Sequence, residues 1–466
     1  MSRSPGRAVS VRSALAVGAL NAMLIPIWPA TTRGAPPSKV HALTAHAQVA
    51  PVAPVAPSDA HLSPRVTRTR ADGAGRALAA AIADADSMVR AAVGRTTAGA
   101  VLLVARRGRL LHLVAYGDAE RLDSSGAVLA KPRPMRPDTR FDLASVTKVM
   151  ATTFACMRLV DAGRLDLDAP VSRYLADFHG PHLDSITARL LLRHASGLVP
   201  WQPLYYHAST PRETYEVIRR LPLAGGVGKA RRYSDLGFML LGYLVERVAG
   251  LPLDQFVSRE LYAPLGLERT GFAPDRSRRA EFAATEVGNG YERRMTYDTT
   301  FAFPYHGDPT TWNGWRQRVL AGEANDGNAF YANGGVAGHA GLFSTAEDLR
   351  VLVELLLNDG RAGPRRLIGA ATIRAFLTPE PFGHYLGWMR PTGMPEGSFM
   401  HTGFTGTYVL GVPRSGLVVI LLANRQQIGA DRRGHFPDLT TLREGVSRRL
   451  AAAADEDDAA TLRRAP

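Results

Sequence analysis

Two runs of apolar residues, Ala98 to Ala105 and Leu110 to Tyr116, lie either side of Arg106-Arg107-Gly108-Arg109. Apolar, β-favouring stretches around a short polar turn that contains glycine predict a hairpin. A second pair stands near the other end of the chain. There, Thr407 to Val412 and Leu417 to Ala423 flank Pro413-Arg414-Ser415-Gly416. Alanine and leucine dominate Arg76 to Ala92, which predicts a helix ahead of the first hairpin. A helical pattern runs from Val146 to Ala162 and stops at Gly163. Ser344 to Asn358 reads as a further helix, with Glu347 three residues after Ser344 as in a capping box. Thr440 to Ala454 is also helical in pattern, and the acidic Asp455-Glu456-Asp457-Asp458 opens an expected frayed tail, 455–466. Between about 165 and 320 helices alternate with Gly and Pro breaks. Strands at both ends with helices between them predict an α/β (α+β) fold. An antiparallel sheet built from the two ends would be flanked by helices, with a helical subdomain inserted.

The region before this pattern is different. Arg3, Arg7 and Arg12 precede a mostly apolar stretch, Ala14 to Trp28, too short to cross a bilayer as a helix. This is the layout of an export signal, taken as residues 1–30, and predicts a periplasmic or extracellular protein. Residues 31–72 are rich in Ala and Pro and read as a linker. The catalytic domain is expected over 73–454. No second run of about 20 apolar residues follows, so no membrane span beyond the signal segment is expected.

The formal charge of +14 invites a nucleic-acid reading. Half of that excess sits in the first 70 residues, and the remainder is interleaved with acids, so a solvated surface is expected and no nucleic-acid partner. The single cysteine, Cys156, lies in an apolar helical stretch and reads as a buried small side chain.

Three short segments carry chemistry. In Phe141-Asp142-Leu143-Ala144-Ser145-Val146-Thr147-Lys148, a serine and a lysine three apart share one helix face. A serine hydroxyl needs a neighbour to take its proton, and a lysine can do so if its pKa is lowered. In Tyr233-Ser234-Asp235, Tyr233 can shuttle a proton, and Asp235 can accept from an ammonium or orient substrate. Ser234 or Asp235 would also cap the apolar helix that follows. His401-Thr402-Gly403-Phe404 opens into a strand. Its backbone N–H groups, with that of Ser145, suit an oxyanion hole, although an ordinary turn would look the same.

In this order the three segments resemble the motif set of the serine β-lactamase and penicillin-binding-protein family: S-x-x-K, then Y-x-N or S-D-N, then K-T-G. The class C-like branch, with its D,D-peptidases and esterases, is the most similar. Ile186 to Leu198 resembles that branch's helix-and-turn segment, and Gly334 to Thr345 its glycine-rich segment. The resemblance covers roughly residues 76 to 452. It implies a β-lactamase/transpeptidase-like fold and an acyl-enzyme on Ser145. Lys148 would be base or charge partner, and Tyr233 the proton relay. The N–H groups of Ser145 and Phe404 would hold the oxyanion, and Asp235, His401, Thr402 and Gly403 would bind substrate.

Two departures shape the expectation. Asp235 stands where the family has Asn, and should pair with Lys148 and raise its pKa, shifting proton transfer toward Tyr233. His401 stands where the family has Lys, so a fixed cation becomes a titratable group. An esterase or a D-amino-acid peptide or amide hydrolase is therefore favoured over a β-lactamase or acyltransferase. The reading from another class is a non-catalytic penicillin-binding sensor or cell-wall binding protein. The partner is a small ester, amide or peptidoglycan-derived substrate, and the chain is expected to act as a monomer. No cofactor and no metal are expected, as there is no H-E-x-x-H pattern. Gly225-Gly226-Val227-Gly228-Lys229 is followed by Ala230, so it is not a phosphate loop. His194 and His339 are expected in structural roles, and the aromatics of Trp201 to His207 are expected to pack beneath a loop rather than line the cleft.

Overall fold

The computed structural model describes residues 75–464 apart from residue 304. The expected signal segment (1–30) and linker (31–72) lie outside these residues. The two hairpins form as the pattern predicts. Gly99–Arg106 pairs with Arg109–Leu122, and Tyr408–Val412 with Leu417–Ala423. They meet in one antiparallel sheet of six strands, in which Gly99–Arg106 and Leu417–Ala423 lie side by side, Ala100 opposite Ala423 and Arg106 opposite Leu417. Val128–Pro134 and Phe399–Thr402 form its two edges.

Both central strands are buried on both faces, which is why they read as unbroken apolar runs. Side chains alternate across a strand. Val101, Leu103, Val418 and Ile420 therefore face the helix Ala346–Leu357 and the large core beyond it. Ala100, Leu102, Val419 and Leu421 face the helices Arg76–Ala92 and Thr440–Arg464. The segment between the sheet's two halves carries the inserted helices and a small three-stranded sheet, in which Phe141 opposes Ser344 and Asp142 opposes Phe343. That pairing fixes the chain immediately before Ser145.

Three elements depart from the sequence pattern. The last helix does not stop at Ala454 but continues to Arg464. Its acidic run is held by partners distant in sequence. Asp457 accepts the N–H groups of Ala77 (3.2 Å) and Leu78 (3.1 Å), capping the first helix, whose own N-cap, Gly75, has no side chain to do so. Asp458 pairs with Arg106 at 2.5 Å and Arg107 at 2.6 Å. The helix expected from Ser344 begins one residue later. Thr345 is its N-cap and takes the Asp348 N–H at 3.3 Å, while Ser344 belongs to the small sheet. The helical run after Ser145 is not uniform. A 3₁₀ turn, Ala144–Val146, leads into a wide π-helical turn, Lys148–Thr153, before regular helix at Phe154–Asp161. Such turns recur at functional positions. Cys156 is buried, as expected. Among the described residues no single helix is long and apolar enough to cross a membrane.

Candidate active site

The turn that presents Ser145 is held from three sides. Asp142 is buried, and its two carboxylate oxygens accept the N–H groups of Ala144 (2.8 Å) and Asn325 (2.6 Å). Burial pushes its pKa up to about 6. The carbonyls of Asp142 and Leu143 accept the hydroxyls of Thr405 (2.8 Å) and Thr407 (2.9 Å) from the C-terminal segment. Ala144 adopts φ +45°, a left-handed conformation that a residue with a Cβ rarely takes. The surrounding hydrogen bonds hold this strain directly before Ser145, as is common at functional turns. Gly403 is required for a related reason. A Cβ there would lie 2.4 Å from the Leu143 carbonyl oxygen and 2.1 Å from Thr407 Oγ1. The close neighbour is thus the protein's own backbone at the Ser145 turn.

Lys148 is fully buried and donates to Ser145 Oγ (2.9 Å) and to the His339 carbonyl (3.1 Å). Its ammonium also contacts Asp235 Oδ1 at 2.7 Å, an ion pair without hydrogen-bond alignment. Burial alone would drive the lysine pKa down, but the Asp235 carboxylate and Tyr233 outweigh it and raise it. The expected pairing with Asp235 is therefore present, and Lys148 is an ammonium ion at neutral pH. Tyr233 lies over this centre, with Lys148 Nζ 5.0 Å from its ring centre. Burial raises its pKa, against the pull of Lys148 and of the Ser145 hydroxyl. It is a neutral phenol, not the acidified one that neighbouring cations alone would give. Ser234 caps the following helix through the Gly237 N–H (3.1 Å), which sets Tyr233 and Asp235 side by side.

The three histidines take inner positions. His194 stacks on Tyr233, ring centres 4.3 Å apart, and its Nδ1 accepts the Ser234 N–H at 3.1 Å. Burial, then Lys148, hold it neutral. His339 Nε2 lies 2.9 Å from Asp326 Oδ1. His401 does not present a titratable group to substrate. Its side chain has no exposed surface, and Nδ1 bonds the Thr402 carbonyl at 2.9 Å. Burial, followed by the charge of Lys148, lowers its pKa to about 3. The imidazole is thus uncharged across the physiological range, behind Tyr233 (ring centres 6.3 Å apart).

Ser145, Tyr233, Asp235, Thr402, Gly403 and Phe404 all line one cavity of about 430 Å³. Trp201 lines it too, while Tyr205 and Tyr206 pack on Trp312, so the aromatic segment is divided between cleft and core. The sequence reading missed the other polar lining groups: Glu292, Asn325, Asp326, Arg425 and Arg443. They come from separate loops and helices, and no local motif marks them.

A β-lactamase family model matches residues 85–439. The chain belongs to the β-lactamase family. It is 35% identical over 369 residues to the N-acetylmuramyl-L-alanine amidase of Bacillus subtilis, covering 73% of this chain and 80% of that protein. A protein of Escherichia coli provisionally named D-alanyl-D-alanine carboxypeptidase is 35% identical over 357 residues, covering 70% and 78%. Among solved structures, a penicillin-binding protein homologue from Caulobacter crescentus superposes with TM-score 0.60 at 21% identity, over 82% of this chain and 98% of that one. The β-lactamase/transpeptidase-like fold is thus that of the family, and the chain is a serine hydrolase of it.

Proposed function

We propose that this serine hydrolase is an exported enzyme that forms an acyl-enzyme on Ser145 and cleaves amides derived from peptidoglycan. The observation that carries this reading is the Ser145–Lys148–Asp235 chain, 2.9 and 2.7 Å long, centred on the fully buried Lys148 and opening on a cavity. The names of the amidase and carboxypeptidase relatives support the amide class. N-acetylmuramyl-L-alanine is the substrate with which to begin.

Lys148 donates to Ser145, so it acts as a fixed positive charge rather than a free amine. Tyr233 is the relay. As a neutral phenol it takes the Ser145 proton while passing its own to the leaving nitrogen, so no net charge builds on the relay. The N–H groups of Ser145 and Phe404 hold the oxyanion. Water then follows the same path in reverse and releases the acid. Esters share the acylation step and serve as reporter substrates.

His401 cannot supply a cation for a substrate carboxylate, but Arg425 and Arg443 line the same cavity. Arg425 donates to the carbonyls of Phe404 (2.7 Å) and Pro437 (3.0 Å), and Arg443 to those of Gly403 (3.3 Å) and Thr407 (3.2 Å). Burial and the charge of Arg425 lower Arg443 to about 10, so it stays cationic at neutral pH. These guanidiniums suit the carboxylate of an amino-acid leaving group. The test is intact-mass analysis after a fluorophosphonate, with turnover of N-acetylmuramyl-L-alanine, a D-alanyl-D-alanine peptide and a p-nitrophenyl ester. An adduct in wild type that is lost in Ser145→Ala, with amide turnover lost alongside, is expected. An adduct that survives Ser145→Ala would overturn the assignment.

A further inference from the structure

A second cavity, of about 280 Å³, adjoins the one that holds Ser145. The two share Met389, Thr402 and Arg443 as walls. The edge strand Phe399–Thr402 leads from one to the other. It turns Phe399 and His401 inward and leaves Met400 and Thr402 partly exposed. Thr402 lines both cavities and Met400 only the second. Alternate residues of a strand stand about 7 Å apart, so the second cavity opens within one or two residues' length of the first.

Its polar lining is cationic. Arg390, Arg443 and Arg448 face one acid, Glu444, which pairs with Arg448. Arg443 is fixed between the two cavities by its bonds to the Gly403 and Thr407 carbonyls. Arg390 is exposed, and among the described residues its guanidinium has no hydrogen bond or ion pair. Glu396 acts with Arg390 on the nearby Tyr385 but does not pair with it. His384 completes the group. Its Nδ1 accepts the Arg390 N–H at 3.1 Å, and burial followed by the charge of Arg231 lowers its pKa. It is therefore neutral at pH 7 with its proton on Nε2, a donor. Two guanidiniums and an imidazole N–H offer donors and positive charge together, the pattern that suits a carboxylate. The apolar lining is Met389, Met394 and Met400. Thioethers adapt to flexible methylene chains.

We infer that this second cavity is a subsite for a second carboxylate on the leaving group, carried on a short aliphatic stem and held by Arg390 and His384. The inference rests on the amide reading, in which Arg425 and Arg443 face the first carboxylate. The stem belongs either to the departing amino acid itself or to the residue after it. In both cases the substrate is an amide of an acidic amino acid or acidic dipeptide, and Arg390 reads it away from the bond that breaks.

The test is calorimetric titration with two pairs of compounds, each pair matched in shape and differing by one carboxylate: glutamate with glutamine, and alanyl-glutamate with alanyl-glutamine. Wild type should bind the acid of at least one pair about tenfold or more tightly than its amide, the factor a charge-assisted hydrogen bond supplies. Preference within the first pair places the stem on the departing residue, and preference within the second alone places it on the next. Arg390→Gln should cut the preference to within about threefold. Arg390 is exposed, so the variant folds. Arg374, exposed on the helix Ala370–Phe376 and lining neither cavity, is the control, and Arg374→Gln should keep the full preference. Equal binding of acid and amide in both pairs would overturn the inference. So would an Arg374→Gln loss as large as that of Arg390→Gln, which marks net charge rather than a site. Binding requires no cleavage. Selective binding of the acids without Ser145-dependent amide turnover would sink the amide reading and leave the subsite standing, whereas amide turnover without that selectivity would sink the subsite alone.

Discussion

Replacing Asp235 with asparagine isolates the electrostatics of the site. In the native chain Lys148 is fully buried, and its ammonium is balanced by one carboxylate at 2.7 Å. Its folded pKa lies above the ordinary lysine value because Asp235 and Tyr233 outweigh burial. A raised lysine pKa contributes stability that is present below the unfolded value of about 10.4 and is lost as pH rises through the folded pKa. In Asp235→Asn burial is no longer opposed by a carboxylate, so the folded pKa should fall below the unfolded one and the sign reverses. The variant then carries a penalty at neutral pH that disappears as Lys148 loses its proton. Removing one partner of a fully buried pair costs about 3–5 kcal/mol. Asp235 is about one-fifth exposed and Asn keeps an acceptor for the ammonium, so about 2–3 kcal/mol is expected at pH 7. Urea unfolding of wild type and variant at pH 7 and pH 10 measures the difference at both ends. It should be large at pH 7 and shrink markedly by pH 10. A difference of under about 0.5 kcal/mol at pH 7, or one that does not change with pH, would refute the account of Lys148 as an ion held by Asp235.

Tyr233→Phe removes the proposed relay hydroxyl and leaves the ring on His194. Steady-state kinetics should show kcat lower by about 10²–10⁴ with KM within a few-fold, and a raised KM with kcat unchanged would argue for binding instead. Gly403→Ala places a methyl group against the Leu143 carbonyl. It should destabilise by about 1–3 kcal/mol in thermal unfolding and lower kcat by shifting the Ser145 turn. Asp457→Ala uncaps the first helix at a distance from the cavity. A loss of about 1 kcal/mol with unchanged kcat/KM is expected, and an unchanged melting temperature would show that the cap is idle.

The legible parts of this protein were those in which chemistry and sequence are local. Ser145 and Lys148 are three residues apart, so spacing alone placed them on one surface, and Tyr233 and Asp235 stand together in one three-residue motif. The sheet was legible because strands buried on both faces leave unbroken apolar runs. His401 was misread because sequence position beside Thr402 and Gly403 does not reveal which way a strand residue points. In the strand Phe399–Thr402 alternate residues face inward, and His401 is one of them. The run Asp455 to Asp458 looked like a solvated end because its partners, Ala77, Leu78, Arg106 and Arg107, lie about 350 to 380 positions earlier. Glu292, Asp326, Arg425 and Arg443 were invisible for the same reason. Each lies in its own stretch, and only the tertiary fold makes them neighbours.

The sheet closes between strands from opposite ends of the chain, and this sets the order of biogenesis. Ala100 cannot meet Ala423 until nearly the whole domain has left the ribosome. The same late segment supplies Thr405 and Thr407, which hold the Ser145 turn. Contacts this distant in sequence form slowly, because a long loop must close before any bond rewards it. A chain truncated before Thr405 therefore lacks the hydrogen bonds that hold the strained turn. The hydrolase fold is complete only when its last strands arrive, so the topology itself delays assembly of the Ser145 turn to the end of synthesis.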